Sequence, residues 1–223
     1  MTALQIIAQS VEDAREAQAG GASNLEVIID LAVGGLTRPL TLVRAIQDAV
    51  NIDLHVMVRP HARDFVYSPP EIETILAQVK QFKALGVQGI VFGALTPDGL
   101  LEIPLIRQVT GTASPLAVTL HRAIDECHEP ESGFESLKGM VSRVLTSGGA
   151  SSSWEGRETI RRWVETYGDS FRFICGAGVN ITNLQALVEA TRAPEFHMGS
   201  GAQIEGRVDR YKVRQLVEIL ARF

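Results

Sequence analysis

Residues 54–92 read LHVMVRPHARDFVYSPPEIETILAQVKQFKALGVQGIVF, and this stretch contains one complete unit of the chain's organisation. Leu54–Val58 is a short apolar run, as expected of a strand buried on both faces of a parallel sheet. Arg59-Pro60 closes it. A helix then opens with an unambiguous signature: Ser68 as N-cap, Pro69 at the first helical position and Glu71 three residues after the cap. Gly86 stops the helix, and Gly89–Phe92 is the next apolar run. Strand, loop, helix and parallel strand follow one another with no residues to spare.

The same exchange repeats outward in both directions. Before it come Leu4–Ala8 with a helix from Ser10 to Gly20–Gly21, then Leu25–Ile29 with a helix over Pro39–Val50. After it come a helix near Ile103–Val109, Leu116–Leu120 with a helix near Phe134–Met140, and Val141–Thr146 with Glu155–Tyr167. Phe171–Cys175 precedes a helix opened by Thr182 with Gln185 at the capping-box position. Glu195–Met198 is the eighth run, and Tyr211–Arg222 closes the chain. Eight strand–helix units joined by short connections predict an α/β chain folded as a single (β/α)8 TIM-type barrel over residues 1–223. An open doubly wound sheet is the runner-up, although no glycine fingerprint follows the first strand.

The totals narrow the functions. A net charge of −5, with 21 basic residues scattered through 223, leaves no footprint for nucleic acid. The first ten residues do not read as a signal peptide and no apolar run reaches the length of a membrane span, so a cytoplasmic chain away from membranes is expected. The two cysteines, Cys127 and Cys175, form no Cys-x-x-Cys and are expected to be reduced thiols.

In such a barrel, function gathers at the C-terminal strand ends. Polar residues there stand out against the apolar runs: Glu26, Arg59 with Asp64 in its loop, His121-Arg122 with Asp125, Thr146 and His197. A charge inside a strand must be paired or neutralised, so Glu26 and Arg59 could form an ion pair across neighbouring strands. The loops after strands 7 and 8 hold Gly176 and Gly178, then Gly199, Ser200 and Gly201. Those two loops commonly bind phosphate in barrels, because glycine lets backbone N–H groups approach an anion; tight turns are the plainer reading.

These residues, with Gly34-Gly35-Leu36-Thr37, Phe92-Gly93-Ala94-Leu95, Thr119-Leu120-His121-Arg122-Ala123, Arg143-Val144-Leu145-Thr146-Ser147-Gly148 and Asn183-Leu184, run in an order that resembles the CutC copper-homeostasis family. The resemblance implies a TIM-like barrel, a cytoplasmic location, self-association as a homodimer and a connection to copper. It carries site positions onto Glu26, Arg59, Asp64, His121, Arg122, Asp125, Thr146, Gly176, Gly178 and His197. The chain departs from the family pattern at Gln5, Ile7 and Ile28, where Glu, Cys and Cys are common, and at Ala62-Arg63.

Three functions compete. In the first, the barrel mouth is an acid–base site for a phosphorylated or acidic metabolite. His121 acts there with Glu26 and Asp125; Arg59, Asp64, Arg122, Thr146 and His197 bind substrate, and the glycine loops hold the anion. The second is a copper-binding or trafficking protein without catalysis. The third is a metal site of Glu26, His121 and His197 that would suit zinc or manganese. Copper(I) prefers thiolate and thioether donors, and Cys127 and Cys175 lack chelating spacing.

Overall fold

The structure, a computed structural model, describes residues 2–223. Eight strands close into a parallel barrel in sequence order: β1 Ala3–Ala8, β2 Asn24–Val27, β3 Asp53–Met57, β4 Gly89–Phe92, β5 Ala117–Leu120, β6 Arg143–Thr146, β7 Arg172–Cys175 and β8 Glu195–Met198. Around it run α1 Val11–Gly20, α2 Leu40–Gln47, α3 Pro69–Leu85, α4 Ile103–Ala113, α5 Pro130–Leu137, α6 Arg157–Tyr167 and α7 Leu184–Thr191. A two-stranded ribbon, β9 Gln203–Ile204 and β10 Arg207–Val208, separates β8 from the last helix, α8 Arg210–Leu220. The barrel closes through β1, whose Gln5 is in register with Asn24 of β2 on one side and His197 of β8 on the other. No helix among the described residues is long and apolar enough to cross a membrane.

The helix boundaries follow from side-chain chemistry. In α3 the Glu71 carboxylate accepts both the Ser68 N–H and its hydroxyl at 2.8 Å, and Gly86 ends the helix in the left-handed region. At α1 the Ser10 hydroxyl accepts the Asp13 N–H at 3.0 Å. The expected opening of α7 at Thr182 is corrected. Asn180 accepts the Thr182 N–H, Asn183 accepts the Asn180 N–H, and the helix begins at Leu184. Gln185 bonds Glu189 one turn on instead of reaching back to a cap. Helix α5 starts earlier than expected, because Pro130 is acceptable in a first turn, and it stops before Gly139, which has φ of 77°.

Strand residues alternate between two environments. Those turned outward, such as Leu25 and Val27, Leu54 and Val56, or Phe173 and Cys175, merge with the inner helix faces into one large apolar layer. Those turned inward form a separate, small apolar cluster of Ile7, Ile28, Met57 and Val91. Much of the remaining interior is polar: Gln5, Asn24, Glu26, His55, Thr119, Arg143, Glu195 and His197 are all buried. A barrel of this kind is usually filled by branched apolar side chains. Here the lower half holds a hydrogen-bonded charge network, and that network positions the site above it.

Candidate functional site

The network centres on Glu195. Its carboxylate accepts from Arg143 Nη2 at 2.5 Å and from Arg172 Nε at 2.6 Å. Arg143 also reaches His55 Nε2 at 2.6 Å. Asn24 Nδ2 donates to Glu195 at 2.8 Å, Gln5 Nε2 donates to Asn24 Oδ1 at 2.7 Å, and Gln5 Oε1 lies 2.8 Å from His197 Nδ1. A continuous chain of polar contacts therefore runs from the ion pair at the barrel floor to a histidine at the mouth. Sequence reasoning missed Gln5, Asn24, His55, Arg143 and Glu195 as members of this assembly.

Above the network lies a cavity of about 460 Å³ at the C-terminal ends of the strands. It is lined by Glu26, Arg59, His121, Arg122, Asp125 and His197, by Gly178, Gly199, Ser200 and Gly201, and by the apolar Ile7, Leu31, Met57 and Leu145. Three expected members lie elsewhere. Asp64 is exposed in its loop and accepts the Val66 N–H at 3.0 Å. Thr146 is buried behind the wall, where its hydroxyl donates to Asp125 and accepts the Gly148 N–H at 2.8 Å. Gly176 spends its N–H on Thr146 O at 3.0 Å, and a Cβ there would come within 2.7 Å of Leu145, so its role is packing.

Arg59 does not pair with Glu26. Its guanidinium instead donates to backbone oxygens of the loops, Val33 at 2.8 Å, Gly35 at 3.4 Å and Ala62 at 3.4 Å, and it sits 4.7 Å from the Phe65 ring centroid. Among the described residues no carboxylate lies within 4 Å of this guanidinium, and the residue is 7% exposed. Glu26 faces His197 Nδ1 at 3.6 Å, and its Oε2 is buried without a hydrogen bond. Burial, partly offset by Arg143, pushes the Glu26 carboxyl up to about 8, so it is largely the neutral acid at pH 7.

Asp125 does not orient His121. It accepts from Arg122 Nε at 2.8 Å, from the Thr146 hydroxyl, from the Ser147 N–H and hydroxyl at 2.9 Å, and from the Gly149 N–H at 3.1 Å. A carboxylate so fully engaged ties the loops after β5 and β6 together and has little capacity left as a base. His121 is oriented by its own loop: its Nδ1 accepts the Ala123 N–H at 3.1 Å. Gly93 makes room for the ring, since a Cβ there would lie 2.7 Å from it. Burial, with Arg59 nearby, drives His121 down to about 3; burial and the Arg143 and Arg122 charges do the same for His197. Both are neutral imidazoles at physiological pH.

The loops after β7 and β8 press together, a Cβ on Gly201 meeting Val179 O at 2.2 Å. Close packing explains that glycine by itself. Yet among the described residues the N–H groups of Gly178, Val179, Ser200 and Gly201 find no protein acceptor. Unspent donors on the rim of a cavity favour an anion.

Neither cysteine is placed to give the cavity a thiolate donor for copper(I). Cys175 lies in the outer apolar layer with its thiol pushed up to about 12 by burial, and Cys127 packs against the same layer. Among the described residues no three His, Cys, Asp or Glu side chains come together as a metal-binding group. The proposed trio of Glu26, His121 and His197 is therefore not assembled.

Residues 2–202 match the model of the CutC family. The copper homeostasis protein cutC homolog of Homo sapiens is 38% identical over 195 residues, covering 87% of this chain and 71% of that protein. The family protein CutC of Xanthomonas campestris pv. campestris strain 8004 is 38% identical over 206 residues, covering 92% of this chain and 86% of that protein. In three dimensions the chain is similar to the crystal structure of the CutC protein from Streptococcus agalactiae, with a TM-score of 0.84 and 22% identity over 90% of this chain and 99% of the other.

Proposed function

The chain belongs to the CutC family, and from that premise we propose that its barrel mouth binds a small anionic metabolite and performs acid–base chemistry on it. One observation carries this reading: Arg59 is a nearly buried cation on the cavity wall whose protein contacts are carbonyl oxygens and an aromatic ring, never a carboxylate. A charge in so low a dielectric favours any anion that can reach it. The acidic residues nearby offer little competition. Asp125 is saturated by its own loops and Glu26 is held protonated. The free N–H groups of Gly178, Val179, Ser200 and Gly201 form a second anion-seeking edge on the same cavity. Glu26, His121 and His197 then supply proton acceptors and donors between the two. No copper site is part of this reading, because the thiols lie outside the cavity.

Inorganic phosphate is the simplest probe. Titration calorimetry at pH 7 is expected to give saturable 1:1 binding, weakened at least tenfold by Arg59→Met, since tenfold corresponds to about 1.4 kcal/mol. Equal affinity in the variant, with the fold intact by circular dichroism, would remove Arg59 from the site and overturn the reading.

A further inference from the structure

We propose that His197 and His121 are held as opposite tautomers, His197 offering a lone pair on Nε2 and His121 offering a proton on Nε2, so that the bound anion must carry both a hydroxyl hydrogen and a carbonyl-type oxygen. This deepens the small-anion reading and rests on it for the ligand half alone.

The His197 tautomer is dictated from the barrel floor. Glu195 faces two guanidinium groups and can only accept, so the Asn24 group 2.8 Å away is its NH2. That turns Asn24 Oδ1 toward Gln5, which must answer with its own NH2 at 2.7 Å. Gln5 Oε1 is then left for His197, and an oxygen 2.8 Å from Nδ1 requires the proton to be on Nδ1. In a neutral imidazole the other nitrogen is a bare acceptor. Among the described residues His197 Nε2 has no protein partner, and the residue lines the cavity. One charge at the floor thus sets, through two amides, which nitrogen is available at the mouth. Glu195, Asn24 and Gln5 are positioning residues.

His121 is set the other way by a local contact. The Ala123 N–H points at its Nδ1, so that nitrogen carries the lone pair and Nε2 carries the proton. This Nε2 is buried and, among the described residues, has no protein acceptor. A buried N–H without a partner is unfavourable, and a ligand oxygen would relieve it. A neutral imidazole N–H of this kind can polarise a carbonyl, while a lone pair opposite can take a hydroxyl hydrogen.

The decisive readout needs no ligand. Long-range proton–nitrogen spectra of the histidine-labelled protein at pH 7, assigned with His121→Gln and His197→Gln, are expected to show His197 protonated at Nδ1 and His121 at Nε2. The reverse for either residue overturns the proposal. Gln5→Met should convert the single His197 form into a mixture and leave His121 unchanged; an unaltered His197 would remove the relay. For the ligand half, dihydroxyacetone phosphate should bind at least tenfold more tightly than n-propyl phosphate, which has neither group. Equal affinities would sink that half. If neither phosphate binds, the anion reading fails while the tautomers stand on their own spectra.

Discussion

Replacing Arg143 with Met is expected to destabilise the fold by about 3–5 kcal/mol, because it strips the principal partner from a carboxylate sealed in the barrel. The Arg143 side chain is 11% exposed and that of Glu195 only 1%, so water cannot take over the lost contact. Arg172 also touches Glu195, but its side chain is 42% exposed and reaches in from the barrel end, so it compensates only in part. His55 would lose its donor at the same time. Glu195→Gln should cost a similar amount by leaving Arg143 uncompensated. The double variant Arg143→Met/Glu195→Gln should cost less than the sum of the two by about 1–3 kcal/mol, since residues in one network are not additive. Urea unfolding of the four proteins measures this. Single losses below about 1 kcal/mol would mean that the charges are hydrated and the barrel floor is not sealed.

The second large effect is on pH dependence. His55, His121 and His197 are all driven from an ordinary value near 6.5 down to about 3, chiefly by burial. The folded protein therefore binds fewer protons than the unfolded chain between those values, and stability falls as pH drops below about 6.5. Each group contributes a slope of up to about 1.4 kcal/mol per pH unit. Glu26 works in the opposite sense. Its value rises from 4.5 to about 8, so its contribution is fully present below 4.5 and is lost as pH climbs through 8. Three groups against one give a steep acid limb and a shallow alkaline one, with greatest stability near neutrality. Glu26→Gln should flatten the alkaline limb and steepen the acid limb between pH 4.5 and 6.5, where the Glu26 contribution opposes that of the three imidazoles. Chemical denaturation from pH 4.5 to 8.5 provides the comparison, and a curve that is level from pH 7 down to 5 would contradict burial of the three imidazoles.

The barrel was legible because its strands are buried on both faces and its helices announce themselves chemically. Ser68, Pro69, Glu71 and Gly86 fix α3 without any tertiary information. The charge network was not read, because its members enter the strands one at a time among apolar neighbours. A signal was present: Asn24 and Glu26, His55 and Arg59, Thr119 and His121, Glu195 and His197 recur at even spacing, the period of one strand face. Polar residues at that spacing in a barrel strand point inward. Arg59 could not be read correctly, since the Val33, Gly35 and Ala62 carbonyls that hold it are backbone atoms without a side-chain signature. Asp125 groups with His121 and Arg122 because only a few residues separate them in sequence; its remaining partners, Thr146, Ser147 and Gly149, belong to the end of the next strand and the loop that follows. The ribbon β9–β10 turns on Glu205-Gly206, both at positive φ, a two-residue hairpin whose Glu makes it a weaker signal than Asn-Gly or Asp-Gly.

Crystals soaked in inorganic phosphate at pH 7 should show it inside the barrel mouth, within hydrogen-bonding distance of at least two of the N–H groups of Gly178, Val179, Ser200 and Gly201 and on the side facing Arg59. Phosphate on the outer surface alone, with those N–H groups turned to protein carbonyls, would contradict an anion site at the barrel mouth.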